Sequence, residues 1–240
     1  MKRRAPFSLA PFVLLALSSC TASTAAATAS ISGDALDFTV GLADGPIASA
    51  HVYVLEDPTL DATTDAAGHF VIEDVPVGSD ATLVLEHADY IPIQTATFEV
   101  PAEGLTRITF QAVTPPVRDA LAAILSVTID PTRCQMVTTI TRIGRSLYDP
   151  GAHGEAGATV TIDPPLPASA GPIYFNSEVR PDRTLTESSD DGGVLFVNVP
   201  PGTYTWTATK PGATFAQVRM TCRAGMLVNA SPPWGLQREQ

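Results

Sequence analysis

The sequence repeats one pattern, which reads TDAAGHFVIEDVPVG at residues 64–78 and SSDDGGVLFVNVPPG at residues 188–202. In each copy a turn with Asp and Gly comes first, alternating apolar residues follow, and Pro with Gly ends the run. Asp hydrogen-bonds its own backbone in turns, Gly accepts a positive φ, and apolar residues at every second position bury one face of a strand. The pattern therefore predicts the same turn and strand in both halves of the chain.

Further strands are predicted on both sides of each copy. Thr82–Glu86 follows the first copy and Tyr204–Thr209 follows the second, while apolar residues alternate upstream at residues 50–54 and 158–162. Runs of short strands that are separated by turns are typical of antiparallel sandwiches. The sequence thus predicts an all-β fold of two tandem antiparallel β-sandwiches, joined by a short helix and preceded by a signal peptide.

Several shorter motifs lead to a family resemblance. In the first half they are Gly45-Pro46-Ile47, Ala50 to Val54, Thr64-Asp65 with Gly68 and Phe70, Val75-Pro76 with Gly78, and Tyr90 with Pro92; in the second half they are residues 157–160 and 191–202. With these motifs, residues 31–113 resemble the carboxypeptidase regulatory-like domain, and residues 128–240 resemble it with a longer insertion from 164 to 185. The resemblance implies a prealbumin-like (Ig-like) sandwich in each half, which is close to the carbohydrate-binding-like fold. It implies no catalysis, because that domain is an accessory beside a separate zinc domain in carboxypeptidases.

The first 20 residues have the three parts of a secretory signal. Basic residues at positions 2–4 precede an apolar run over residues 5–17, and small residues follow. The run is roughly 13 residues long, short of the about 20 that a membrane span needs. Leu17-Ser18-Ser19-Cys20 resembles the lipobox of bacterial lipoproteins. This resemblance implies that residues 1–19 are removed as a lipoprotein signal peptide and that Cys20 carries acyl chains such as palmitate.

An alternative for this leader is ordinary secretion with an incidental cysteine. Thr21, rather than Asp, follows Cys20, which by resemblance to lipoprotein sorting in enteric bacteria permits transfer to the outer membrane. We therefore expect the protein in the cell envelope, lipid-anchored, at the periplasmic face of the outer membrane or the cell surface. Residues 20–30 contain only Thr, Ala and Ser after the cysteine, and such a segment is expected to be a flexible tether.

Residues 114–127 are predicted to link the two sandwiches through a short helix. The stretch VRDALAAILS at residues 117–126 follows Pro116, and Val117, Leu121, Ile124 and Leu125 share one helical face. We expect that face to dock on a sandwich. A partner-binding helix is the alternative.

Length and charge limit the classes of partner. The 240 residues suit two domains of about 100 residues each. The formal net charge is −11, and it becomes −14 without Lys2, Arg3 and Arg4. A nucleic-acid partner is not expected, because phosphate contacts need clustered Lys and Arg. Lys210 is the one lysine after the leader, so basic attraction to anionic lipids is not expected either, and acylation is left as the membrane attachment.

Cys134 and Cys222 remain as a pair once Cys20 is acylated. Cysteines of exported proteins are usually oxidised, so a structural disulfide is predicted between them. Free thiols, and redox or metal chemistry, are the alternatives.

No catalytic constellation is apparent, and neither a cofactor nor a metal is predicted. The four histidines occur in no HExxH, and no GxSxG is present, so zinc-peptidase and α/β-hydrolase chemistry lack their motifs. Two metal sites are the alternatives. They are calcium at Asp57, Asp61 and Asp65 or at Glu187, Asp190 and Asp191, and, by resemblance to intradiol dioxygenases, iron at Tyr148, His153 and Tyr174.

Aromatic residues offer the remaining candidate site. Tyr204 and Trp206 alternate along one predicted strand and are expected in the core, whereas Trp234, after two prolines, is expected to be exposed. Trp234 and Tyr174 are the candidate ligand-binding residues, because exposed rings stack on sugars. The leading hypothesis is a non-enzymatic, membrane-anchored adhesion, scaffold or binding module for an envelope protein or glycan. A carbohydrate-binding module is the alternative, and a metal-dependent enzyme is a third.

Overall fold

The structure is a computed structural model that describes residues 26–38, 45–145, 151–231 and 234–240. The predicted signal peptide, Cys20 and the first residues of the predicted tether lie outside the described residues. Within them, one helix accompanies sixteen strands. The elements are β1 Thr28–Asp37, β2 His51–Val54, β3 Asp57–Thr63, β4 His69–Pro76, β5 Asp80–Glu86, β6 Ile93–Glu99, β7 Leu105–Ala112, α1 Pro115–Ile124, β8 Cys134–Thr141, β9 Thr159–Asp163, β10 Ile173–Phe175, β11 Pro181–Asp182, β12 Gly193–Val199, β13 Gly202–Thr209, β14 Val218–Cys222, β15 Leu227–Asn229 and β16 Leu236–Gln237. The all-β prediction is confirmed.

The first sandwich packs a three-stranded sheet, β4-β1-β7, against strands β6, β5, β2 and β3. Its repeated motif forms the expected turn: the Asp65 carboxylate accepts hydrogen bonds from the backbone N–H groups of Ala67 and His69, at 2.8 and 2.9 Å. Gly68 has φ +79°, and a Cβ there would lie 2.5 Å from the carbonyl oxygen of Ala35. Strand β4 then turns the alternating apolar residues of the motif into the core.

The second copy of the motif repeats this geometry. Ser189 stands at the position of Asp65, and its hydroxyl accepts a hydrogen bond from the Asp191 backbone N–H at 3.1 Å. The Asp191 carboxylate accepts one from Gly193 N–H at 2.9 Å, and Gly192 has φ +80°. Strand β12 follows, and its inward side chains meet the sheet β14-β13-β9 in a second core. Trp206 lies at the centre of that core, fully buried, with its ring 4.7 Å from the Phe196 ring in an edge contact. The expected core positions of Tyr204 and Trp206 are confirmed.

The two sandwiches share one sheet. Strand β15, from the second half, pairs in parallel with β6 of the first sandwich and with β8 of the second. Strands of both halves thereby form one ten-stranded sheet, in the order β11-β10-β12-β8-β15-β6-β5-β2-β3 with β16 beside β8. Each sandwich has its own hydrophobic cluster, as two tandem sandwiches require, and the backbone of β15 hydrogen-bonds to both of them. We call the contact of β6, β15 and β14 the seam.

Polar side chains add to the seam. Gln94 on β6 donates to the carbonyl oxygen of Thr221 at 2.6 Å and accepts from the guanidinium of Arg223 at 2.8 Å. Arg219 on β14 reaches Asp80 on β5 at 2.6 Å. The seam therefore combines backbone pairing with side-chain hydrogen bonds from both halves.

Strand β1 corrects the predicted tether. It begins at Thr28, which pairs with Pro76, so residues 28–30 belong to a strand and not to a flexible segment. The lack of apolar side chains in residues 20–30 predicts a flexible segment. The backbone of β4, however, can hydrogen-bond to any residue of extended conformation, whether or not its side chain is apolar.

Helix α1 lies near its predicted position and differs in one face residue. Leu125, which caps the helix, is buried against Ile173 and Val197, as expected. Ile124, expected on the docking face, is 56 % exposed. The helix begins at Pro115 and docks through Ala122 and Leu125, so its last turn presents Ile124 to solvent. In the described residues, no helix has the length and apolar character that crossing a membrane requires.

The predicted disulfide is confirmed. Cys134, the first residue of β8, is bonded to Cys222, the last residue of β14, and their Cα atoms lie 5.7 Å apart. Both cysteines are buried. The bond therefore joins the two sheets of the second sandwich next to the seam.

A buried carboxylate gives Lys210 its place. Glu155 is almost fully buried, and its Oε1 contacts the Lys210 ammonium and, at 3.2 Å, the Arg238 guanidinium. Burial alone would raise the pKa of Glu155, but the hydrogen bonds and charges of the two cations outweigh it and hold the pKa below its usual range. Lys210, the one lysine in residues 5–240, is thus a structural ion-pair partner.

Candidate functional site

The histidines do not converge. Three of them lie beside three different carboxylates: His51 with Asp61 at 3.1 Å, His69 with Asp34 at 3.2 Å and His87 with Asp89 at 3.9 Å. His153 lies elsewhere, in a loop of the second sandwich. In the part of the chain that the structure describes, no three His, Cys, Asp or Glu side chains form a group that could hold a metal ion.

The acidic calcium candidates of the first sandwich have local roles. The Asp57 carboxylate accepts hydrogen bonds from the backbone and hydroxyl of Thr59, which lower the pKa of Asp57. Asp61 faces His51, and Asp65 forms the turn described above. These carboxylates therefore point into separate contacts along their own strands and turns.

Tyr174, a candidate ligand residue, is in the core. Its side chain is 2 % exposed, and its hydroxyl accepts a hydrogen bond from the backbone N–H of Val160 at 2.9 Å. Burial raises the pKa of the Tyr174 phenol. The expectation that Tyr174 binds a ligand is wrong, because a ring inside the sandwich offers no face to a sugar. Of the three residues named for the iron alternative, Tyr148 lies outside the described residues.

Trp234 is exposed, as expected, at 38 %. The guanidinium carbon of Arg107 lies 5.8 Å from the centre of its ring. Beside the ring is a depression of about 190 Å³ between β6 and the C-terminal part of the chain. We call it the Trp234 groove; its polar lining residues are Thr97, Gln217, Arg219 and Gln237.

A larger cavity than the Trp234 groove lies elsewhere, beneath helix α1. It measures about 370 Å³ and is formed by α1 and by the outer face of β12, β8 and β15, the face that the sheet β14-β13-β9 does not cover. We call it the α1 cleft. No sequence motif marks it, because its lining comes from segments that are distant along the chain.

The α1 cleft has an apolar end and a polar end. At the apolar end, Leu121 and Leu125 of the helix face Leu195, Val197 and Val137 of the sheet. Val179 and Pro181 form a side wall, and Phe175 lies beside them. This end resembles the interior of a small-molecule site, which is mostly apolar.

The polar end lies where β12 begins. Gly193 pairs with Thr139 there, and the Thr139 and Ser231 hydroxyls are 2.9 Å apart. Asp191 and His153 line the cleft at the same end. Burial raises the pKa of Asp191. The hydrogen bond from Gly193 and the nearby His153 lower this pKa, but burial outweighs them. The cleft therefore combines an apolar pocket with one partly buried carboxyl.

Comparisons with known proteins leave the family open. No protein-family model matches the sequence, and no curated protein matches it. Among solved structures, a type II cohesin–X-dockerin interface mutant from Acetivibrio cellulolyticus is 26 % identical over 34 % of this chain, with a TM-score of 0.28. This chain spans about half, 52 %, of that one.

Two pilins match over more of the chain. The minor pilin of Streptococcus agalactiae is 9 % identical over 87 % of this chain and 94 % of its own, with a TM-score of 0.28. The shaft pilin of Lactobacillus rhamnosus GG is 11 % identical over 88 % and 97 %, with a TM-score of 0.26. TM-scores below 0.3 are too low to assign the chain to any of these groups.

Proposed function

We propose that this chain is a non-enzymatic binding or scaffold module of the bacterial cell envelope. Acyl chains on Cys20 hold it at a membrane, and Thr21 after the cysteine favours the outer membrane. The seam is the observation that carries the proposal. Domains joined only by a linker move relative to one another. Here β15 hydrogen-bonds to β6 and to β8, so surfaces of both sandwiches keep a fixed relation. A fixed pair of surfaces suits the presentation or spacing of partners.

The position of β1 supports a role close to the membrane. Seven residues separate Cys20 from Thr28, where the first strand begins. A fully extended chain spans at most about 3.3–3.6 Å per residue, so this segment reaches no farther than about 30 Å. An acylated Cys20 would hold the first sandwich near the lipid surface, and partners would be envelope components.

Acylation gives the first test. Cells that express the wild-type chain are expected to incorporate an alkyne-labelled palmitate into it, whereas Cys20→Ala is expected to remain unlabelled, because its thiol is the acceptor. The label is measured on the purified chain by gel fluorescence. When the cells are treated with globomycin, a precursor of the chain with a higher mass is expected to accumulate.

Ser19→Ala is the matched control, since it changes a neighbouring residue and leaves the thiol in place, and it is expected to be labelled like the wild type. An unlabelled wild-type chain, or a Cys20→Ala chain that keeps the label, would contradict membrane tethering.

The scaffold role predicts in addition that crosslinking of labelled envelopes yields a defined complex that contains this chain. The absence of such a complex would count against the scaffold role.

A glycan-binding module is the second candidate, and the Trp234 groove favours it. The ring is exposed, and the amides of Gln217 and Gln237 and the Thr97 hydroxyl can bond to sugar hydroxyls. On a glycan array the wild-type chain is expected to bind a set of sugars, and Trp234→Ala is expected to lose at least about 1 kcal/mol of that binding with the lost stacking contact. Tyr53→Ala removes another surface ring, outside the groove, and is expected to bind as the wild type does. Equal binding by both variants would exclude this groove as the sugar site.

A further inference from the structure

We infer that the α1 cleft binds a small amphiphilic organic cation, an amine with an aliphatic or aromatic body, whose ammonium group pairs with Asp191. This inference goes beyond the proposed envelope role and does not depend on acylation of Cys20. It follows from the shape of the cleft, from its apolar lining and from the charges at its polar end.

The shape of the cleft suits a small molecule. Its volume of about 370 Å³ lies in the range of ligand sites, about 300–1,000 Å³. Helix α1 covers one side and the sheet face of β8 and β12 forms the other. A cavity of this kind between a helix and a sheet can enclose the greater part of a ligand with a short chain or a single ring.

The apolar end determines the body of the ligand. Its walls are aliphatic, with Leu121, Leu195, Val197 and Val137 around the space. The polar neighbour Gln135 uses its amide on Asn198, whose backbone N–H it binds at 2.9 Å. Water in this part of the cleft finds few hydrogen-bonding partners, and apolar cavities readily accept apolar molecules in its place. An alkyl chain or a ring is therefore the body that this end accepts.

The polar end determines the charge of the ligand. Among the described residues, Asp191 is the acidic side chain that lines the cleft, and its carboxylate accepts one hydrogen bond, from Gly193 N–H at 2.9 Å. Arg118 also lines the cleft, but its guanidinium pairs with Asp119 at 2.7 Å. A carboxylate ligand would meet Asp191 as a like charge. An ammonium group complements it, and the net charge of −11 attracts cations to the whole chain.

Hydrogen bonding and charge together favour an amine over a neutral head group. A partly buried carboxylate forms a stronger hydrogen bond with an ammonium group than with a hydroxyl, because both partners are ionised. The Thr139 and Ser231 hydroxyls, at the same end, can accept further N–H groups. The cleft thus provides one charged and two neutral hydrogen-bond acceptors, which match the three N–H donors of a primary ammonium group.

Calorimetric titration with three six-carbon probes tests the site. The full chain with Cys20→Ala and with its disulfide intact is titrated with hexylamine, hexanol and hexanoate. Hexylamine is expected to bind saturably and at least about tenfold more tightly than hexanol, as a charged hydrogen bond would give. Hexanoate is expected not to bind. Tighter binding of hexanoate than of hexylamine, or no saturable binding by any probe, would overturn the inference.

Variants separate the head from the body of the site. Asp191→Asn keeps the oxygen that accepts the Gly193 N–H, so the turn is retained, and it is expected to lower hexylamine affinity to that of hexanol. Asp89→Asn makes the same charge change at an exposed position of the first sandwich, and it is expected to alter neither the hexylamine affinity nor the hexanol affinity. Val137→Phe fills the apolar end and is expected to abolish binding of both probes. Hexylamine binding that survives Asp191→Asn would rule out the carboxylate as its partner.

The pH dependence of binding supplies an independent readout. Hexylamine affinity is expected to fall as the pH is lowered through the pKa of Asp191, which burial raises, so the loss begins at a higher pH than for an exposed aspartate. His153 and Asp190 are the ionisable groups that act on Asp191, and a positive charge on His153 would also oppose an amine. If Asp191 causes the pH dependence, the His153→Ala variant still loses hexylamine affinity as the pH is lowered, and this is the expected result. A His153→Ala variant whose affinity no longer depends on pH would assign the pH dependence to the histidine.

Discussion

Replacing both Cys134 and Cys222 with alanine is expected to lower the free energy of unfolding by about 4–5 kcal/mol. The bond closes a separation of 88 residues, and a loop of this length strongly restricts the unfolded chain. Alanine leaves no polar group at either buried position. Urea denaturation, followed by far-UV circular dichroism, measures the change.

Reduction of the wild-type chain is the matched comparison. A reducing agent is expected to lower wild-type stability by a similar amount and to leave the double alanine variant unchanged, since that variant has no disulfide. A double variant within about 1 kcal/mol of the wild type would mean that the bond adds little, as happens when the native state is distorted by it or when the unfolded state retains structure.

The second large effect is expected at Trp206. Trp206→Ala is expected to lower the free energy of unfolding by about 3–5 kcal/mol, the usual range for truncating a buried aromatic residue. The ring is fully buried and packs on Phe196, so the cavity left behind lies in the middle of the second core. The same denaturation experiment measures it.

Two variants control for the loss of a tryptophan. Trp234→Ala removes an exposed ring whose only described ring contact is with Arg107, and it is expected to cost less than about 1 kcal/mol. Trp206→Phe retains an aromatic ring and removes the indole N–H, which is buried and has no hydrogen-bond partner among the described residues, so it is expected to cost less than the alanine variant. Equal losses for Trp206→Ala and Trp234→Ala would contradict the assignment of core and surface.

The turns, the core strands and the disulfide could be predicted from sequence, for local reasons. Asp65 with Gly68, and Asp191 with Gly192, form their turns through contacts within a few residues. The alternation in residues 204–209 reports which side chains of one strand share a face, so the burial of Trp206 follows from it. The expected acylation of Cys20 leaves Cys134 and Cys222 as the one possible pair.

The seam could not be predicted, because no local signal marks it. Strand β15 has three residues, too few for a periodic pattern, and its two neighbours lie about 90 and 130 residues away in the chain. Tyr174 was misjudged for a related reason. Its hydroxyl is satisfied by a backbone N–H of Val160, a contact that depends on how β10 packs and not on neighbouring residues.

The α1 cleft illustrates the same limit for sites. Asp191 belongs to a turn motif and is fully explained as a turn residue from sequence. Only the packing of α1 across the face of β8 and β12 gives its carboxyl an apolar cavity. Ile124, expected inward and found exposed, shows how a shift of one residue in a short helix changes which side chains contact that face.

The late position of β15 in the chain affects how the protein can be made. The edges of β6 and β8 obtain their shared neighbour only when residues 227–229 have emerged from the ribosome or the translocation channel. Until then, both strands offer unpaired N–H and C=O groups, which are sites for association with other chains. A product that ends before residue 227 would carry these open edges permanently and is expected to aggregate, so β15 protects an edge of the first sandwich as well as completing the second.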